Sequence, residues 1–115
     1  MLRGEVRLVD LDPVRGSEAN KRRPAIIVSN DRANLTAARL GRGVVTVVPM
    51  TSNVSQVFAF QVFIPAEITG LRADAKAQAE QVRSISIERL GPVLGRLPAA
   101  VLADLDDALR LHLQL

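Results

Sequence analysis

The chain has 115 residues, 48% of them apolar, and is read as one domain over residues 1–115, because dividing it would leave two cores too small to hold. It has no Cys and a single His, His112, which excludes disulfides, thiolate nucleophiles, zinc–thiolate sites and any multi-His metal site within one chain. The net charge of +3 is uneven, since residues 1–60 carry nine Lys/Arg against five Asp/Glu and residues 61–115 carry six against seven. The excess is therefore a local feature of the first half, and it suits a site better than a whole-surface attraction.

No apolar run approaches the roughly 20 residues of a membrane span, and the start lacks a signal-peptide hydrophobic stretch, so a cytoplasmic location is expected. Aromatic residues are scarce: three Phe, no Tyr and no Trp. Any nucleic-acid surface must then work with few stacking platforms.

Gly4 to Leu11 reads as a first strand, with Val6 and Leu8 alternating against Glu5 and Arg7. Asp12-Pro13 ends it, and Val14 to Arg23 is a polar loop. Pro24 suits the first residue of a strand, and Ala25 to Ser29 is too uniformly apolar to be a solvated edge. Asn30 or Asp31 can cap a helical turn over Arg32 to Ala38, which Gly41 and Gly43 break. Val44 to Val48 forms a third, deeply buried strand.

From Phe58 to Ile64, Phe58, Phe60, Val62 and Ile64 can share one strand face, with Ala59, Gln61 and Phe63 on the other. Residues 66–80 read as loop with a helical turn, and Val82 to Ser86 as a fifth short strand. A helical turn over Ile87 to Leu90 and a small strand over Pro92 to Leu94 follow. The C-terminal segment is the clearest helix: Pro98 sits near its start, and Leu97, Val101, Leu105, Leu109 and Leu113 recur at three- and four-residue intervals beside Leu102. The expected fold class is mainly β with helices, a small barrel or twisted antiparallel sheet packed with a C-terminal helix.

Two segments point to chemistry. Arg15, Lys21, Arg22 and Arg23 are four cations in nine residues, opposed by Glu18 alone. They are either a solvated loop or a phosphate site; Arg23 lies one residue before a buried strand, where a planar fork of donors can be aimed. Thr51, Ser52 and Asn53 close the third strand after Pro49, and are either an ordinary turn or hydroxyl donors to a phosphoryl oxygen. A third polar cluster, Gln81, Arg83 and Ser84, is either strand-edge polarity or a reader of unpaired bases. Glu18 is a candidate base or the ion partner that orders its loop. His112 reads as a surface residue, and Asp104, Asp106 and Asp107 as a solvated helix face, because helical geometry turns Asp106 away from the other two.

Taken together, these residues resemble the MazF/PemK-type toxins, the ribonuclease halves of bacterial toxin–antitoxin pairs. The resemblance runs from Arg3-Gly4-Glu5-Val6 and Asp10-Leu11-Asp12-Pro13 through Gly16-Ser17-Glu18 and Arg23-Pro24. It continues with Asn30-Asp31, Pro49-Met50-Thr51-Ser52, Gln81-Val82-Arg83-Ser84-Ile85 and the Leu-rich final helix. It implies an SH3-like barrel, a homodimer and metal-independent, cofactor-free cleavage of single-stranded RNA at short sequence motifs. It also implies neutralisation by a cognate antitoxin whose disordered acidic C-terminal segment covers the basic groove. The family's key arginine and threonine match Arg23 and Thr51, its loop glutamate matches Glu18, and its RNA-contacting glutamine matches Gln81. Ser52 agrees with many members; where the family usually has an aromatic in the first strand, this chain has Leu8. By likeness and position, Arg15, Lys21, Arg22, Asn53, Arg83 and Ser84 are assigned with Gln81 to RNA binding.

A ribonuclease without a metal cluster can use the substrate's own 2′-hydroxyl as nucleophile, giving a 2′,3′-cyclic phosphate and a 5′-hydroxyl. Arginine is a poor general base at its usual pKa, so charge neutralisation comes before proton transfer as a role for Arg23. Two rivals belong to other classes: a gyrase inhibitor like the CcdB toxins, which shares the fold and needs no Arg–Thr pair, and an RNA-binding module without catalysis.

Overall fold

The computed structural model describes residues 1–115. Strand β1 (Glu5–Asp10) pairs antiparallel with β2 (Arg22–Ile27), and helix α1 (Asp31–Leu40) leads into β3 (Val44–Thr51). Strand β4 (Gln61–Ile64), the single-turn helix α2 (Ala66–Thr69) and β5 (Ala75–Gln78) follow. A 3₁₀ turn over Ala79–Gln81, β6 (Arg83–Ser86), a second 3₁₀ turn over Ile87–Arg89, β7 (Leu90–Arg96) and helix α3 (Ala99–Leu113) complete the chain.

All pairings are antiparallel, and the strand order is β4-β5-β3-β2-β1-β7 with β6 also on β3. The pairings leave β4 and β7 as the two ends of this path. Strand β3 is long enough to divide one edge between two partners: Val44–Val47 pairs with β6, and Met50 and Thr51 pair with β5. Its other edge takes β2 along Val47–Pro49.

Alternation along β1, β2 and β3 feeds two cores. Val6, Ile26, Val48 and Met50 join Ile64, Ala75, Ala77, Ala79 and Leu97 under Leu105 and Ala108 of α3. Val9, Ala25, Ile27, Val45 and Val47 turn the other way and meet Leu11, Ala19 and Ile85. The uniformly apolar runs of β2 and β3 are thus explained, since both of their faces are buried.

The structure extends or corrects several expectations. Helix α1 runs to Leu40, because Asn30 caps it by accepting from Ala33 N at 2.8 Å and Gly41 closes it in the left-handed region at φ 67°. Strand β4 begins only at Gln61. Phe58 lies outside it and is 44% exposed, while Gln61 is buried, bonded through its amide to Phe58 N and Glu80. Residues 66–80 hold the expected helical turn as α2, but also the strand β5 and most of a 3₁₀ turn where loop was expected. Pro98 is the N-cap residue of α3, just ahead of the helix proper, and Leu113 is exposed, so the buried stripe ends at Leu109. No helix is long and apolar enough to cross a membrane.

Candidate active site

The register of β2 on β3 decides what the strand ends present. Ala25 lies opposite Pro49, the last pair of this ladder, and the register continued two residues past it would set Arg23 opposite Thr51. The alternation that sends Ala25, Ile27, Val45 and Val47 into one core carries Arg23 and Thr51 to that same face. Arg23 and Thr51, together with Pro24 and Met50 that alternate to the opposite face of the same strands, line a cleft of about 620 Å³. Its lining comes from Lys21, Arg22, Arg23 and Pro24 around the start of β2, from Met50, Thr51 and Ser52 around the end of β3, and from residues 70–75 with Leu94.

Several polar groups of the cleft have defined hydrogen-bond partners. The half-buried Arg23 guanidinium donates from Nε to Asn20 O at 2.7 Å and from Nη2 to Asn20 Oδ1 at 3.1 Å, which fixes its plane and leaves Nη1 free. Thr51 Oγ1 accepts from Asn53 N at 3.3 Å, so its own proton remains available to a ligand. Lys21 sits at φ 65° in the left-handed region, its N–H donating to Asp12 Oδ1 at 3.0 Å and its carbonyl accepting from Leu11 N at 2.9 Å. That turn delivers Arg22 and Arg23 into β2.

The other residues picked out in the sequence lie outside the cleft lining. Glu18 closes its own loop, accepting from Arg15 N at 3.0 Å, and Arg15 is exposed on that loop. Asn53 Oδ1 accepts from Ser55 in a tight turn. Ser84 meets Thr46 across β6 and β3 at 3.1 Å. Gln81 spends its amide on the basic loop, donating to Ser17 O at 3.0 Å and accepting from Ala19 N at 2.9 Å. Arg83 donates to Leu11 O at 3.2 Å, and Arg89 reaches the carbonyls of Asp10 and Asp12. In this conformation Gln81, Arg83 and Arg89 therefore act as a clamp on the backbone of residues 10–19. The three helix aspartates do not converge: Asp106 pairs with Arg3 and Asp107 with Arg110.

The sequence pattern of the family described as "PemK-like, MazF-like toxin of type II toxin-antitoxin system" matches residues 2–113. The chain belongs to this family. A protein of Mycobacterium tuberculosis (strain ATCC 25618 / H37Rv) named endoribonuclease MazF9 is 65% identical over 115 residues, which cover all of this chain and 98% of that protein. The crystal structure of MazF (Form-I) from Deinococcus radiodurans superposes with a TM-score of 0.84 at 26% identity, over all of this chain and 97% of the other. The MazE–MazF structure (Form-III) from Deinococcus radiodurans superposes with a TM-score of 0.76 at 26% identity, over all of this chain and 97% of the other.

In this PemK/MazF-like chain the part of the cleft lining formed by residues 70–75 carries no signal in the sequence. Arg72 makes no ion pair or hydrogen bond within the protein, and Asp74 caps α2 by accepting from Ala66 N at 2.9 Å. The segment 70–74 is brought to the cleft by α2, whose last carbonyl packs onto β7. A Cβ at Gly95 would lie 2.6 Å from Thr69 O, so only glycine allows that approach. Nothing in the spacing of Gly70-Leu71-Arg72 points to the end of β3, which closes at Thr51 well before them in the sequence; the contact is tertiary.

Proposed function

We propose that this chain is an endoribonuclease toxin that cuts single-stranded RNA at short sequence motifs, with the cleft at Arg23 and Thr51 as its active site. The observation that carries the reading is that Arg23 and Thr51, at the ends of neighbouring strands, both line one basic cleft. In the proposed reaction the substrate's 2′-hydroxyl gives up its proton to water as its oxygen attacks phosphorus in line, forming the 2′-O–P bond as the P–O5′ bond breaks. The products are a 2′,3′-cyclic phosphate and, once the leaving oxygen takes a proton, a 5′-hydroxyl. Arg23 neutralises charge on the phosphorane, its plane preset by Asn20. Thr51 donates to a non-bridging oxygen, and Ser52 beside it supports that contact. Lys21 and Arg22, in the same lining, track the RNA backbone.

The MazE–MazF complex among the structural relatives supports a second part of the proposal, that a cognate antitoxin neutralises the toxin. An acidic segment laid over residues 15–23 would occupy the groove that RNA needs. The working form in this reading is a homodimer in an SH3-like barrel fold, with α3 and a sheet edge as candidate contact surfaces.

The test is cleavage of a mixed single-stranded RNA, with the ends mapped. Arg23→Ala and Thr51→Ala should each lower kcat by roughly 10²–10³, the usual cost of one lost oxyanion donor, without unfolding the protein. A 2′-deoxy nucleotide at the cut site should abolish cleavage. Efficient cutting of that substrate, or undiminished rates in both variants, would reject the mechanism.

A further inference from the structure

Lys76 is the most buried charged side chain of the protein: the residue is 8% exposed. None of the four ion pairs includes it. A cationic head group withdrawn from water needs compensating partners, and a lysine without one is unusual. Its partners come from one place. Nζ donates to Gln56 O at 2.6 Å and lies 5.8 Å from the centroid of the Phe58 ring. Phe58 in turn stacks on Phe60, with ring centroids 5.4 Å apart and planes 7° from parallel.

Gln56 and Phe58 belong to the segment 52–60 that leaves Thr51 and returns at β4. Its other hydrogen bonds are local. Asn53 bonds Thr51 and Ser55 at one end, and Phe58 bonds Gln61 at the other. The Lys76–Gln56 bond is thus the only hydrogen bond that ties this loop to an element beyond its flanking strands. The tie is also placed with respect to the chemistry, because Lys76 is the register partner of Thr51 across β3 and β5.

We infer that Lys76 is a positioning residue: it pins the 52–60 loop beside Thr51, so that RNA meets a preformed wall rather than a mobile one. The assignment rests on the ribonuclease reading of the Arg23–Thr51 cleft. It makes Lys76 a determinant of cut-site preference that acts through Gln56 and Phe58 without touching the reacting phosphate. A loop left to be ordered by the substrate would charge that ordering to binding.

The experiment compares wild type with Lys76→Met, Lys76→Gln and Lys76→Arg on a pool of single-stranded RNAs randomised around the cut site. Met and Gln both break the tie, so the comparison survives if one of them fails to fold. Both should raise KM by about tenfold, the equivalent of ordering one or two side chains, with kcat changed less. They should flatten the base preference on one side of the cut and speed limited proteolysis within residues 52–60. Lys76→Arg keeps a cation able to donate to a carbonyl and should restore the preference. An unchanged cut-site profile and unchanged proteolysis in the Met or Gln variant would overturn the inference. So would a fall of about 0.7 in the salt slope of binding to RNA carrying a 2′-deoxy cut site, because that result puts the head group on a phosphate. Failure of the underlying reading shows separately, as wild-type protein that cuts no RNA, while the proteolysis arm still reports on the tie.

Discussion

At the residue scale, three polar side chains have different commitments. Arg23 keeps one terminal nitrogen without a partner, whereas Arg83 holds the Leu11 carbonyl and Gln81 holds Ser17 and Ala19. The polar clusters were legible in the sequence, because residue type and distance from an apolar run are written there. Who receives each hydrogen bond was not, because Gln81 and its partners are more than sixty positions apart. This commitment predicts how Gln81→Leu behaves. The substitution leaves Ala19 N, at a buried position, without its acceptor, a cost of about 1–3 kcal/mol. Tm should fall by about 4–8 °C per kcal/mol in a chain near this size. Cleavage should weaken less than in Arg23→Ala, since the loop loosens but the guanidinium remains. Loss of base preference with an unshifted Tm would instead mark Gln81 as a base contact.

At the element scale, α3 and β5 show what periodicity can and cannot convey. The 15-residue α3 announces itself through leucines at helical spacing. Strand β5 is Ala75-Lys76-Ala77-Gln78, residue types that favour helices, and isolated propensity points the wrong way. The strand exists because Ala75, Ala77 and Ala79 alternate inward, and their small side chains let α3 pack close over the sheet through Leu105 and Ala108. The alternation was present in the sequence, but its faces carry too little apolar contrast to be recognised without the helix above. If this packing holds the layers together, Leu105→Ala should be among the costly substitutions. Leu105 is fully buried, and removing its side chain should cost about 2.7–5 kcal/mol. Urea unfolding should show a lower midpoint with an unchanged slope. A loss below about 1 kcal/mol would show that the sheet is stable without its helix.

At the scale of the whole molecule, a net charge of +3 is small, and it is the placement of cations that matters. Composition located the excess in the first half of the chain but could not show that Arg72, from the second half, lines the same cleft. Four cations, Lys21, Arg22, Arg23 and Arg72, line that one depression with Asp74 as the only acid, and Asp74 is engaged at the start of α2. Single-stranded RNA bound there should release counterions in proportion to the phosphates neutralised. The logarithm of affinity against the logarithm of salt should then fall with a slope of about −3. Binding is measured with RNA blocked by a 2′-deoxy nucleotide at the cut site, so that cleavage does not interfere. Arg72→Ala should reduce the slope by about 0.7 and weaken all sequences alike, because a phosphate contact carries no base information. Arg32, exposed on α1 and outside the cleft, supplies the comparison. If Arg32→Ala lowers the slope as much as Arg72→Ala does, the attraction comes from overall charge, and the cleft loses its claim to be the RNA path.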